Sequence, residues 1–196
     1  MRKPWWRRPL ILALLAPVCA GCGHLGKVNQ GRVVSYDADN GIVTLIGDSN
    51  PADPANPRYD VLPPALVRVP SDRSSMGPVP EPGLLLSVDN GKKQLVVFDP
   101  GAQTLKAIPF HLVHRQTKVS KSDLRISGRK FPVVEGSSHT ITIYLRRQRE
   151  IIVFSVPEAY LALPESTWRF GDEVRYYYKQ PSQALRMMNV TKTDIF

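Results

Sequence analysis

Three short turn sequences constrain the fold of this chain more than any other feature, because each follows a run of strand-forming residues and precedes another. Asp39-Asn40-Gly41 and Asp89-Asn90-Gly91 each separate two runs rich in Val, Ile and Leu, and Asp99-Pro100-Gly101 leads into a further run. Asn-Gly between such runs is the strongest short-range signal for a β-hairpin, since both residues tolerate positive φ. The sequence therefore predicts at least five strands between residues 31 and 110.

A proline-rich segment interrupts this series of strands. Residues 51–82 hold nine of the 18 prolines, and proline is excluded from helix interiors and from central strands. We therefore interpret this segment as a loop inserted between two hairpins. Within it, only residues 65–69 are expected to form an element, either a single helical turn or a short strand.

The second half of the chain repeats the pattern of apolar runs and turns. Residues 140–145 and 151–156 flank the polar stretch 146–150, and two more strand-like runs follow at 174–178 and 184–190. Residues 62–70 also resemble residues 156–164, which indicates either an internal duplication or a chance similarity.

These observations predict a mainly β protein with few short helices. We expect two tandem small β-barrel-like units of the OB or SH3-like kind, residues 31–114 with the proline-rich loop 51–82, and residues 131–196. A basic connector, residues 115–130, would join them. A single continuous sandwich is the alternative.

The amino terminus has the pattern of a secretory signal peptide. Residues 1–8 carry four cationic side chains and no acid, and the apolar run that follows, residues 10–16, is too short to span a bilayer. The run ends in Ala20-Gly21-Cys22, where two small residues precede a cysteine. This arrangement resembles the lipobox of bacterial prolipoproteins.

The resemblance implies that Cys22 is alkylated with diacylglycerol, that the chain is cut before it, and that the new amino terminus is acylated. Residues 1–21 would then be the signal, and residues 22–30 the anchor and tether. Cys19 would leave with the signal. Gly23 stands where enterobacterial lipoproteins retained in the inner membrane carry Asp, which favours the outer membrane over the inner.

The net charge separates the predicted regions. The formal charge of +9 falls to +5 without the four cations of the signal, and residues 115–130 carry six cations against one acid. This connector either binds anionic head groups, an acidic protein or a polyanionic glycan, or is a solvated linker. Export argues against a nucleic-acid partner. The six cations are Arg115, Lys118, Lys121, Arg125, Arg129 and Lys130.

Strand alternation predicts a second basic surface, in which arginine and lysine alternate with tyrosine. If Val174, Tyr176 and Tyr178 face the core, the residues between and after them face outward, and the same holds beside Ile141, Ile143 and Leu145. Such a surface is typical of barrels that bind an extended glycan or peptide. The alternative is an ordinary solvated face or packing beneath the other unit. The candidate ligand face is Tyr144, Arg146, Arg175, Tyr177 and Lys179.

The histidines are the only residues with a metal-like spacing. His111 and His114 are three apart, which places them on opposite faces of a regular strand, and His139 is distant in sequence. No known nucleophile or phosphate-loop motif is present. We therefore expect a non-catalytic binding or assembly module without a cofactor, bound to the membrane by its lipid and contacting another envelope protein or an anionic glycan or lipid. The alternative is an envelope hydrolase or metal-dependent enzyme that uses these three histidines.

Overall fold

The structure is a computed structural model that describes residues 25–120 and 122–193. Within these residues there are twelve strands and three short 3-10 helices, at Arg73–Ser75, Glu158–Tyr160 and Glu165–Trp168. The mainly β prediction with few short helices is confirmed. The predicted signal, Cys22 and Lys121 lie outside the described residues. The strands are β1 (Lys27–Asp37), β2 (Ile42–Asp48), β3 (Tyr59–Arg68), β4 (Leu85–Asp89), β5 (Gln94–Asp99), β6 (Thr104–Pro109), β7 (His111–Gln116), β8 (Val133–Glu135), β9 (Thr140–Leu145), β10 (Glu150–Ser155), β11 (Glu173–Tyr178) and β12 (Ala184–Asn189).

The strands form three antiparallel sheets, and the largest combines both ends of the chain. Its strand order is β12-β11-β1-β2-β3, so that Gly31 on β1 is level with Val174 on one side and Gly47 on the other. The sheet curves until Arg68 forms a single bridge to Gln183, without closing a barrel. Two tandem barrel-like units are therefore not confirmed, because β11 completes the sheet that β1 begins.

The other two sheets pack face to face. They are a three-stranded sheet, β4-β5-β6, and a four-stranded sheet, β7-β10-β9-β8. Their shared core includes Leu95, Ile108, Ile143, Phe154 and Trp168, all at most 1% exposed. A smaller cluster around Ile46, Leu86 and Phe98 connects the three-stranded sheet to the five-stranded one. Burial of these apolar faces is the main stabilising contribution to a fold of this kind.

Side-chain alternation follows the predicted pattern on both strands that the sequence singled out. Ile141, Ile143 and Leu145 are buried in the core of the paired sheets. Val174 and Tyr176 are buried inside the curved five-stranded sheet, and Tyr178 packs against them. The intervening residues of β9 and β11 therefore face the opposite sides of their sheets, as predicted.

Among the described residues, five hairpins share one loop geometry. Each loop has four residues, and the fourth has a positive φ of 53° to 62°. The predicted hairpins are confirmed, but neither Asn90 nor Gly91 is the residue with positive φ. The positive-φ residues are Gly41, Lys93, Gln103, His139 and Arg149.

For the connecting segments, the loop prediction was wrong, and of the two explanations for the similar residues the structure favours chance. β3 is a ten-residue strand inside the segment interpreted as a loop. It is an edge strand, paired only with β2, and its two prolines fall where the register with β2 shifts, so that no ladder hydrogen bond is lost at a central position. The similar residues 62–70 and 156–164 adopt different structures, a strand and a short 3-10 helix, so the sequence similarity does not reflect a repeated structure.

No helix in the described part of the chain is long and apolar enough to cross a membrane.

Candidate functional site

A cleft of about 1000 Å³ lies between the five-stranded sheet and the four-stranded sheet. Its walls come from β1 and β11 on one side, and from β9 and the β9–β10 turn on the other. Aromatic rings from several elements also line it, including Tyr144, Trp168 and Phe170. The charged residues lining the cleft are one acid, Glu173, and five arginines, Arg32, Arg129, Arg146, Arg147 and Arg149.

Arg32 is the most enclosed of these arginines. Its guanidinium carbon lies 4.5 Å from the centre of the Tyr59 ring and 5.0 Å from the centre of the Phe170 ring. Nη1 donates a 2.9 Å hydrogen bond to the Gly171 carbonyl, whereas Nε is buried with no partner among the described residues. Burial lowers the pKa of Arg32, but the guanidinium stays charged at neutral pH because the ordinary value is so high.

Gly171 brings the chain close enough to hold Arg32 in this place. A Cβ atom at this position would lie 1.8 Å from the Val33 carbonyl oxygen on β1, so only glycine fits. The neighbouring Asp172 carbonyl accepts a 2.9 Å hydrogen bond from the Val33 amide. The segment before β11 is therefore fixed against the central strand, and its carbonyl is directed at the guanidinium.

Arg147 and Glu173 form an ion pair that joins the two walls of the cleft. Arg147 Nη2 lies 2.7 Å from both carboxylate oxygens of Glu173, which is 4% exposed. Nη1 of the same arginine donates to the Pro54 carbonyl at 3.0 Å. Arg146, its neighbour in the β9–β10 turn, donates to the Thr191 carbonyl. The four-stranded sheet is thus held to the five-stranded sheet by hydrogen bonds from arginines.

A chain of polar contacts runs from the cleft along the outer face of the five-stranded sheet. Gln30 Nε2 donates to the Tyr59 hydroxyl and to Asp48 Oδ2, both at 3.3 Å. Gln30 Oε1 accepts from Arg175 at 2.7 and 3.1 Å. Burial raises the pKa of Tyr59, which therefore stays protonated and neutral at physiological pH.

The predicted ligand face does not come together as one surface. Tyr144 and Arg146 line the cleft, but Arg175, Tyr177 and Lys179 lie on or just after β11 and are absent from its lining. The outward face of β9 is also partly covered by the connector, since the Tyr144 hydroxyl donates to the Val119 carbonyl at 3.3 Å. The structure thus divides the predicted face between two places.

The basic connector is divided in the same way. Arg115 forms a two-point contact with Glu150 at 2.6 and 3.0 Å, and Arg125 pairs with Asp123. The hydrogen bond from Arg125 lowers the pKa of Asp123 to about 2. Arg129 lines the cleft, and Lys118 and Lys130 are exposed. Two of the predicted cations are therefore paired with local acids, and one belongs to the cleft.

The histidines occupy separate positions. His111 and His114 are exposed on β7, and His139 is the positive-φ residue of the β8–β9 turn. Across residues 25–120 and 122–193, no group of three His, Cys, Asp or Glu side chains is arranged to hold a metal ion.

Sequence reasoning missed Arg32, Tyr59, Arg147 and Glu173. Their positions depend on the packing of the two sheets against each other, and a strand pattern does not contain that information. One usable signal was the polar stretch 146–150 between two buried strands, because three arginines in one hairpin turn exceed what solubility requires. Chemically, the surplus of guanidinium groups suits an anion, since arginine donates charge-assisted hydrogen bonds to carboxylate, sulfate and phosphate oxygens.

Residues 24–196 match the model of a protein family described as a domain of unknown function, DUF4881. No curated protein matches the chain. No solved structure matches it either. Because the family model spans most of the sequence, the chain belongs to the DUF4881 family.

Proposed function

We propose that this protein is a lipid-anchored lipoprotein of the bacterial envelope that binds an anionic ligand in the arginine-lined cleft, without catalysing a reaction. The observation that carries the proposal is the excess of five arginines over one acid around the cleft. Glu173 is held by Arg147, and its single carboxylate cannot neutralise all five guanidinium groups. The remaining guanidinium groups give the cleft a positive potential, which attracts anions.

The size and composition of the cleft are those of a ligand-binding site rather than of a surface that is merely charged. Its volume of about 1000 Å³ lies at the upper end of the range for ligand pockets. The partly exposed rings of Phe131, Tyr144 and Phe170 offer aromatic surface beside the guanidinium groups. An acidic peptide segment of another envelope protein and an anionic glycan both present charges along an extended chain, which fits such a cleft.

The proposed anchor supports this role by confining the cleft to the membrane surface, where a tethered site has a high effective concentration of any membrane-bound partner. The signal-like residues 1–21 and Cys22 support lipidation, and the family match begins two residues later, at residue 24. Gly23 favours the outer membrane, with the domain facing the periplasm.

Trp168 allows a test of ligand binding, because its buried ring borders the cleft wall and the other two tryptophans, Trp5 and Trp6, lie in the predicted signal. Detergent-extracted protein is titrated with a sulfated oligosaccharide and with an oligoglutamate peptide while Trp168 fluorescence is recorded. We expect a saturable change that weakens with added salt, because the attraction is ionic.

Two matched variants distinguish binding in the cleft from a general effect of net charge. The double variant Arg129→Gln, Arg149→Gln removes two cleft cations, and we expect about a tenfold loss of affinity. The control, Arg73→Gln with Lys92→Gln, removes the same charge from surface positions outside the cleft lining, and we expect it to bind like the parent. Equal losses in both variants, or no saturable change with either probe, would rule out the cleft as the site.

The anchor is tested separately by the intact mass of protein extracted from its native membrane. A diacylated or triacylated Cys22 at the amino terminus supports the proposed address. An unmodified chain that retains Met1 would rule out the lipoprotein assignment, whatever the cleft binds.

A further inference from the structure

We propose that the outer surface of the five-stranded sheet at the start of β1 lies against the bilayer and contacts anionic lipid head groups. This inference rests on the lipid anchor proposed above and specifies how the domain is oriented on the membrane. The anchor-proximal face consists of Val28, Tyr177, Lys179 and Arg186.

The chain between the anchor and the sheet is short. Only three residues lie between Cys22 and Gly26, so the four Cα–Cα steps span at most about 14 Å when fully extended. Gly26 is already fixed to the sheet, because its amide donates to the Tyr177 hydroxyl at 3.2 Å. A Cβ atom at Gly26 would lie 2.3 Å from the Tyr177 ring, so the chain runs directly over this side chain. A lipid on Cys22 therefore places Tyr177 within about 14 Å of the membrane surface, plus the length of its own side chain.

Strand register gathers the face into one surface. Val28 on β1 is level with Tyr177 on β11, and Tyr177 is level with Arg186 on β12. Lys179 follows the end of β11. Because side chains alternate along a strand, Lys27, next to Val28, points to the other side of the sheet and is not part of the face. Lys179 and Arg186 are exposed, and Val28 is 60% exposed.

The face is also complementary in charge to an anionic bilayer. Residues 25–36 and 174–193, which supply the face, contain no Asp or Glu. The carboxylate of Asp48 accepts a hydrogen bond from Gln30, at the next outward-facing position along β1. Basic residues near an anionic bilayer add to binding, and tyrosine is enriched at the membrane interface because it has an apolar ring and a polar hydroxyl. The combination of short tether, cations, tyrosine and exposed valine fits a lipid surface.

The test uses the full lipidated protein in vesicles of phosphatidylglycerol and phosphatidylcholine in equal parts. Residue 179 is changed to cysteine and spin-labelled; the only other cysteine in the processed chain, Cys22, is blocked by its lipid. The matched control is Ala102→Cys, which is exposed in the β5–β6 turn of a different sheet. We expect the label at residue 179 to be protected from a water-soluble nickel relaxation agent and the label at residue 102 to be accessible.

Charge reversal then distinguishes contact from mere proximity. Arg186→Glu should abolish the protection at residue 179, since each cation contributes about a fivefold preference for an anionic surface and the reversal also adds a repelled charge. The matched control Lys92→Glu should leave the protection unchanged in the same vesicles. Pure phosphatidylcholine vesicles should reduce the protection in the parent protein.

Three results would overturn the inference. The first is equal accessibility of the two labels on protein whose mass shows an acylated Cys22, and the second is protection that survives charge reversal. The third is a Cys22 without lipid, which would also remove the anchor. Binding of anionic probes in the cleft does not depend on the anchor-proximal face. The spin-label experiment therefore tests membrane contact alone, and the fluorescence titration tests the cleft alone.

Discussion

The β9–β10 turn and the β5–β6 turn have the same backbone geometry but are stabilised by different contacts. Both have four-residue loops that end in a positive-φ residue, Arg149 or Gln103. In the β5–β6 turn, Asp99 Oδ1 accepts from the amides of Gly101 and Ala102 at 2.9 and 3.1 Å. In the β9–β10 turn, the equivalent position is Leu145, which has no acceptor, and the arginines of the loop instead bind the five-stranded sheet.

The difference shows that one turn type serves two purposes in this molecule. An aspartate before the loop satisfies the loop amides locally, so that turn forms without help from the rest of the fold. Replacing the aspartate by an apolar core residue transfers the stabilisation of the turn to distant partners, Glu173 and Thr191. The β9–β10 turn, held in this way against the five-stranded sheet, positions three arginines at the cleft.

The largest expected effect comes from breaking the ion pair between the β9–β10 turn and the five-stranded sheet. Arg147→Met should lower the free energy of unfolding by about 3 kcal/mol, because the buried Glu173 loses its two-point partner and keeps Arg32 and Tyr59 nearby. Urea unfolding followed by Trp168 fluorescence measures the change. Replacing both residues, as Arg147→Met with Glu173→Leu, should restore most of the loss.

Arg146→Met is the control for that measurement, since it removes one hydrogen bond from the same turn and should cost about 1 kcal/mol. If Arg147→Met cost no more than this control, the ion pair would not be what holds the turn against the five-stranded sheet.

A smaller effect is expected at the locally capped turn. Asp99→Ala removes the acceptor of two loop amides, and we expect a loss of about 1 kcal/mol in the free energy of unfolding. The cleft should be unaffected, so affinity for the anionic probes should stay at the parent value. Asp60→Ala, at an exposed position on β3, serves as the control. A change in probe affinity with Asp99→Ala would contradict the independence of the two turns.

Substituting glycine at the positive-φ position of each turn separates the contribution of the backbone conformation to stability from the contribution of the side chain to binding. Gln103→Gly should raise the free energy of unfolding by about 0.5 kcal/mol, because relief of the left-handed conformation slightly exceeds the added chain entropy. Arg149→Gly should give the same backbone gain and also weaken probe binding, since a cleft cation is lost. Equal binding by both variants would remove Arg149 from the proposed site.

The smallest expected effect on stability concerns the exposed ion pair of the connector. Arg125→Gln should return the pKa of Asp123 from about 2 towards its ordinary 3.8, as measured by NMR titration of the carboxyl group. Because the folded pKa is depressed, the stabilisation is present above pH 3.8 and is lost as the pH falls towards 2. At neutral pH we expect no measurable change in unfolding, since both side chains face solvent. Asp37, whose pKa is lowered by a hydrogen bond from Asn40, is the internal control and should not move.

Local signals in the sequence predicted what local interactions determine. The hairpins around residues 39–41 and 89–91 were predictable because turn residues and alternating strands occur within a dozen positions of one another. β3 was missed because tolerance of its prolines depends on its place at a sheet edge, which only the assembled sheet defines. Sequence alone also could not predict the pairing of β1 with β11, because the two strands are more than a hundred residues apart. Nor could it predict the burial of Glu173, because its partner Arg147 belongs to a turn of a different sheet.

That pairing has a consequence for the order in which the molecule is made. β1 and β2 are synthesised early, whereas β11 is synthesised near the end. One edge of β1, the central strand of the largest sheet, is therefore unpaired for most of translation. An unpaired edge is a template for pairing with other chains. Contacts of such long sequence separation also slow folding. The newly made chain is therefore prone to aggregation until β11 and β12 have been synthesised. In a chain truncated before residue 173, that edge of β1 would stay unpaired.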